Sequence, residues 1–285
     1  MISAEPAIAV MDLGSTLAKG GLYSPEGRCL YSAALPVTAI VDGASVEHDP
    51  QELLCSFESL LTGLREAGAV RAVGITCQRS TCLLWERSTG RALTSAVSWR
   101  DSSAKELAEE LAQHAPDVAT RTGLHLSPYY AAPKLSRLLS SQPDLRSRAE
   151  VGEVVAGTLD AFLAHNLTGR PSTEAGHAGR TLLYNLELDT WDPALCDLFG
   201  IPEASLPALE PSIGHRGEWQ GVPLTAVAGD QQAALIGQAC FEPGMIKSTY
   251  GTGCFMILNT GEQALASGNR LLTTVGYRLD GKTTY

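Results

Sequence analysis

A chain of 285 residues, 44% hydrophobic and 18% charged, has the balance of a folded protein and the length of about two domains, which excludes disorder. Its net charge of -10 repels phosphate backbones and anionic lipid, which argues against nucleic-acid or membrane-surface partners. Seven cysteines with no CxxC pair and no zinc spacing read as the reduced thiols of a cytoplasmic protein, and no run reaches the roughly 18 apolar residues of a membrane span.

In chain order, residues 7–37 predict a β-meander of three strands with its polar turn at 24–27, "SPEG". Residues 50–67 carry apolar side chains at 53, 54, 57, 60, 61 and 64 after a proline, the spacing of a helix. Residues 70–93 predict a buried strand, a polar break at Gln78–Thr81 and a hairpin. Amphipathic helices are expected over 101–113 and 133–148. Residues 150–220 are rich in loops, with one helix at "GTLDAFLAHNL". From residue 223 a buried strand runs into a helix, and residues 245–262 predict strand, Gly-Thr-Gly turn, strand. Residues 271–285 supply a third strand and the start of another.

The two ends of the chain thus share a plan, near 8–35 and again near 246–280, which predicts a duplicated fold whose second copy has only begun. A chain ending at Tyr285 in mid-strand would leave unpaired edges, so the sequence is expected to be a fragment.

Candidate chemistry sits at the strand ends. In "MDLGSTLAKG" Asp12 closes a strand ahead of the small-residue turn Gly14, Ser15, Thr16, which can aim amides and hydroxyls at an anion while Asp12 holds a divalent metal and Lys19 adds charge. An ordinary hairpin with a surface Asp fits the same residues. "TYGTGCF" repeats the logic with Gly251 and Thr252, and two such turns facing each other would clamp a polyphosphate. Asp230 in "AGDQQAALIGQ" stands where a buried strand feeds a helix, as a helix cap or as a base for an attacking hydroxyl. Arg79, directly after a buried strand, suits a polyhydroxylated ligand or a surface ion pair. Trp99 and Tyr129 could pack a carbon skeleton or simply fill core. The six histidines are dispersed and give no metal site or catalytic imidazole, and "KELAEE" reads as a solvated helix face.

Taken together, "VEHDP", "GITCQRSTCLLWERSTGRAL", "GTLDAFL", "GRTLLYN", "AGDQQAALIGQ" and "STYGTGCFMILNTGE" resemble the FGGY family of carbohydrate kinases, in particular its glycerol-phosphorylating branch. The resemblance runs over essentially the whole chain. It implies an α/β, actin-like (ribonuclease H-like) ATPase fold, with residues 1–243 as the complete N-terminal domain and 244–285 as the opening of a second. It further implies ATP-dependent phosphorylation of a terminal hydroxyl of glycerol or a similar small polyol, with ATP and Mg2+ as cofactors.

Carried over by motif, Asp230 resembles the catalytic base and Gln231 a neighbouring substrate contact. Arg79, Ser80, Trp99, Tyr129 and Phe255 match the polyol pocket. Asp12 resembles the magnesium-associated carboxylate, and Gly14, Ser15, Thr16, Lys19, Gly251 and Thr252 fall on the phosphate-binding turns. The sequence departs from the family at Ser80, usually Glu, at Lys19, usually Arg, and at Ser102 and Ser103, commonly arginines. These departures leave open a kinase for another polyol or a ketose. A non-catalytic kinase half is a third reading, and the 285-residue chain alone is expected to be inactive. The partner is thus a small polyol or sugar, with a homo-oligomer left open.

Overall fold

The structure, a computed structural model, describes residues 3–250 and 254–285. Strands β1 (Ser3–Leu13), β2 (Leu17–Tyr23) and β3 (Cys29–Pro36) form the expected antiparallel meander. Its turn is closed by the Gly27 N–H, which donates to the Ser24 carbonyl at 2.9 Å. Helix α1 (Pro50–Ala67) starts where the Asp49 carboxylate accepts from the Gln51 and Glu52 amides, with Pro50 in the first turn, where its missing N–H costs nothing. The face carrying Leu53, Phe57, Leu60, Leu61 and Leu64 packs on the meander, each large side chain contributing about 1.5–3 kcal/mol.

Strand β4 (Gly68–Cys77) then returns parallel to β1, in register through Leu13 and Cys77. After the polar break the chain leaves this sheet. Strand β5 (Cys82–Glu86) pairs with β6 (Val154–Thr158) in a second, five-stranded sheet completed by 40–42, 45–48 and 96–97. Helix α2 (Ala131–Ser140) packs on that sheet, and α3 (Leu159–Thr168) shares the core of the first one. Strand β7 (Val222–Gly229) rejoins the first sheet parallel to β4 and feeds α4 (Asp230–Gly237). A hairpin of β8 (Ile246–Tyr250) and β9 (Cys254–Leu258) follows. The main sheet therefore runs 218–219, β7, β4, β1, β2, β3: an antiparallel meander extended by two parallel strands.

Several expectations are corrected. The helix over 133–148 is two helices, because Pro143 has no N–H to continue the ladder and instead starts a new helix, Pro143–Glu150. Over 101–113 only Lys105–Glu110 is α-helical, followed by a 3-10 turn at Ala112–His114. Asp101 and Ser103 are held out of it: the Asp101 carboxylate accepts from the Val46 and Ser103 amides at 2.8 and 2.9 Å. Residues 150–220 hold further short helices at Ala175–Ala178 and Pro193–Phe199.

The third strand of the second meander does not join the β8–β9 hairpin. Tyr277–Leu279 pairs with Lys282–Thr284 in a separate ribbon, because its flank is tied to the first region, the chain before β8. The Thr273 N–H donates to Gly123, the Gln232 amide to the Val275 carbonyl, and the Arg278 N–H to Ser212 Oγ, while Val275 is buried beside Ala178 and Tyr184. All seven cysteines are free thiols. Among the described residues no helix is long and apolar enough to cross a membrane.

Candidate functional site

Three parallel strands end level with one another, since Cys77 is in register with Leu13 on one side and Gly229 on the other. The Gln78 N–H donates to the Leu13 carbonyl at 3.0 Å and continues the ladder one residue past the strand. The segments 14–16, 78–80 and 230–231 therefore emerge side by side at the carboxyl edge of the sheet, where open α/β folds place ligands. Between them, the chain inserted between β4 and β7, and the β8–β9 hairpin lies a cleft of about 470 Å³.

Gly14, Ser15, Thr16, Arg79, Ser80, Trp99, Tyr129, Asp230, Gln231 and Phe255 all line this cleft. At Gly14 the turn is tight: its N–H donates to the Leu17 carbonyl at 3.0 Å, and a Cβ would stand 3.0 Å from that oxygen. The Trp99 and Phe255 rings meet edge to face, centroids 6.4 Å apart. Asp12 and Lys19 face each other across β1 and β2, 3.8 Å apart, and neither is a cleft-lining residue. Gly251 and Thr252 lie outside the described residues, and with them the expected second phosphate turn.

Gly229, rather than Asp230, stands at the cap position of α4, and Asp230 is its first helical residue. Its carboxylate is held instead by neighbours. Oδ1 accepts from Arg79 Nε at 3.2 Å and from the Gln231 N–H at 2.7 Å, and Oδ2 accepts from Gln231 Nε2 at 3.2 Å. Lys247, fully buried on β8, donates to Gln231 Oε1; an ammonium only donates, so the amide must turn its NH2 towards Asp230. Gly229 makes room for this arrangement, because a Cβ there would sit 2.6 Å from Arg79 Cδ and 2.5 Å from Gln232 Oε1.

The charges of the site are set by burial. Desolvation, helped by the Arg180 guanidinium, lowers Arg79 to about 10 while Asp230 opposes the fall, so Arg79 stays cationic near neutrality. Burial raises the Asp12 carboxyl above its ordinary value; Lys19 opposes the rise and the Asp230 carboxylate reinforces it. Asp12 Oδ1 is buried without a partner, as are Thr76 Oγ1 beside it and both amide atoms of Gln78. Unsatisfied buried polar atoms at one sheet edge are the kind of donor set a hydrated cation or a polar ligand completes. Among the described residues no three His, Cys, Asp or Glu side chains cluster as a protein-only metal cage.

Sequence reading missed Ser127, Tyr130, Arg180 and Thr249, which also line the cleft. Arg180 stacks its guanidinium over the Tyr130 ring at 4.8 Å. Its signal was present in "GRTLLYN", but nothing local says which way the Arg points. Ser80, at φ 62, turns its hydroxyl away to donate to the Arg180 carbonyl at 3.0 Å.

Comparison with known proteins agrees with this geometry. The N-terminal domain of the FGGY family of carbohydrate kinases matches residues 7–237. A glycerol kinase of Methylobacterium nodulans is 44% identical over 295 residues, covering 98% of this chain and 59% of that protein. One from Agrobacterium fabrum is 47% identical over 255 residues, covering 84% and 51%. The chain thus spans about three fifths or less of the length of these curated relatives. The crystal structure of Plasmodium falciparum glycerol kinase with ADP superimposes with a TM-score of 0.93 at 30% identity, over 99% of this chain and 60% of that one. A ligand-bound xylulose kinase from Lactobacillus acidophilus gives 0.87 at 21% identity over 98% and 59%, which shows the shared fold. The match over residues 7–237, with the actin-like sheet order and strand-end cleft, establishes that the chain belongs to the FGGY family of carbohydrate kinases.

Proposed function

We propose that the protein carrying this chain is a cytoplasmic kinase that transfers the γ-phosphoryl group of ATP to a terminal hydroxyl of glycerol or a similar small polyol. Residues 1–243 would form its acceptor-binding domain and 244–285 the opening of its second domain. The observation that carries this reading is the Asp230 carboxylate, held by Arg79 and Gln231 at the mouth of a cleft shared with the Gly14–Thr16 turn.

The acceptor oxygen attacks the γ-phosphorus in line, the bond to the bridging oxygen breaks, and ADP leaves. The hydroxyl proton passes to Asp230. Oδ1 already accepts two hydrogen bonds and Oδ2 one, so Oδ2 keeps the free lone pair and is the basic atom. Arg79 and Gln231 fix the carboxylate and turn remaining donors to the polyol, and the edge-to-face Trp99 and Phe255 pair shields its carbon skeleton.

Mg2+ would supply charge neutralisation of the phosphates, and Asp12, whose Oδ1 has no partner, would hold it. The amides and hydroxyls of Gly14, Ser15 and Thr16, with Lys19, Gly251 and Thr252, would receive the phosphates.

A second reading, a kinase for a longer polyol or a ketose, draws on Ser80, whose hydroxyl is engaged by the Arg180 carbonyl. ADP release from MgATP by the longest natural product carrying this sequence, measured against glycerol and a panel of polyols and ketoses, separates the two. Higher kcat/KM for glycerol supports the first reading, a better ketose or longer polyol supports the second, and no acceptor-dependent release removes both.

A further inference from the structure

Lys134 on α2 has no exposed surface and makes no ion pair among the described residues. Its Nζ donates to three main-chain carbonyls, those of Ser80 at 2.7 Å, Ser98 at 2.9 Å and Tyr129 at 3.1 Å. An ammonium has three donors, and all three are used. Desolvation pulls this ammonium down to about 8, with the Cys82 and Asp101 side chains opposing the fall.

A cation in that position is a poor way to fill space. Taking an ammonium out of water costs more than burying an apolar side chain of similar length, and Leu or Met would pack α2 as well. What the ammonium does that an apolar group cannot is hold three loops at one point. Each of the three peptides carries or adjoins a cleft residue: Ser80 itself, Trp99 directly after Ser98, and Tyr129. The Trp99 N–H adds a second tie by donating to Thr81 Oγ1 at 3.0 Å.

We propose that Lys134 is the positioning residue of the acceptor pocket: its ammonium gathers the loops of Ser80, Trp99 and Tyr129 behind the cleft wall and so sets how the polyol lies against Asp230. The inference rests on the polyol-kinase reading above. Lys134 touches neither acceptor nor nucleotide and acts only through the three carbonyls.

The test is steady-state kinetics of the longest natural product, wild type beside Lys134→Met and Lys134→Gln, with acceptor and ATP varied in turn. Loss of the staple raises the acceptor KM by about tenfold or more in Lys134→Met, because a small misplacement of the pocket is costly, while the ATP KM is unchanged. Lys134→Gln keeps two N–H donors on a shorter arm and shows the smaller rise; it carries the test if the Met variant does not fold. A merely structural lysine would lower thermal stability and the active fraction and leave both KM values where they are, which overturns the proposal. Wild-type protein that phosphorylates no polyol removes the kinase reading and this inference together, whereas an active wild type with an unshifted acceptor KM in both variants removes this inference alone.

Discussion

On one wall of the cleft Gly14, Gln78 and Asp230 stand just past the level ends of β1, β4 and β7, so main-chain pairing spaces them. On the other wall Trp99 and Tyr129 ride on loops of the insert between β4 and β7, gathered by one buried ammonium. The difference is between a wall held by many backbone hydrogen bonds, no one of which decides its geometry, and a wall whose loops converge on one side chain. Single substitutions should therefore injure the two walls differently.

On the ladder wall the sensitive point is where side chains leave the backbone. Gly229→Ala puts a methyl against Arg79 Cδ and Gln232 Oε1 and must displace the arginine that orients Asp230. A shift of that kind lowers kcat/KM by roughly 100-fold with little change in the circular dichroism spectrum; an unchanged kcat/KM would show that Arg79 need not lie across the strand end. The Lys134 substitutions come next, at about tenfold in acceptor KM. Phe57→Ala, under the ladder wall, costs about 3–5 kcal/mol in chemical denaturation yet leaves the acceptor KM within about twofold, since the strand register survives. A large KM shift there would mean that the ladder does not hold the site on its own.

The smallest effect is electrostatic. The folded Asp12 carboxyl titrates above its unfolded value, so it favours the folded state only when protonated, in acid, and that contribution is lost as pH rises through the folded value. At neutral pH in chelator, Asp12→Asn should then raise stability slightly, by under about 1 kcal/mol after allowance for solvent screening, and the gain should vanish in acid. The same variant should need more Mg2+ for turnover. Lower stability at neutral pH would contradict the assignment of a buried charge that Lys19 only partly offsets.

The ladder wall was legible in the sequence because its signals are local. The turns that break residues 7–37, helical spacing in 50–67 and polar residues after each buried strand place Asp12, Arg79 and Asp230 at strand ends. The loop wall was not. Nothing in "YYAAPK" tells that Lys134 reaches carbonyls 36 and 54 residues away in sequence, and nothing in "MIKSTY" tells that Lys247 turns the Gln231 amide. The helix over 133–148 failed at Pro143, where apolar spacing outweighed a breaker that the sequence did display. The third strand after the β8–β9 hairpin failed for a non-local reason, the hydrogen bonds that draw 273–278 onto the first region.

The most direct test of the account is acceptor-dependent ADP release by the longest natural product with saturating MgATP and polyol, wild type against Asp230→Asn, with melting temperatures measured in parallel. Removing a positioned base should lower kcat by about 1,000-fold while the melting temperature stays within a few degrees. An Asp230→Asn protein that turns over at near wild-type rate would contradict the assignment of Asp230 as the group that takes the acceptor proton.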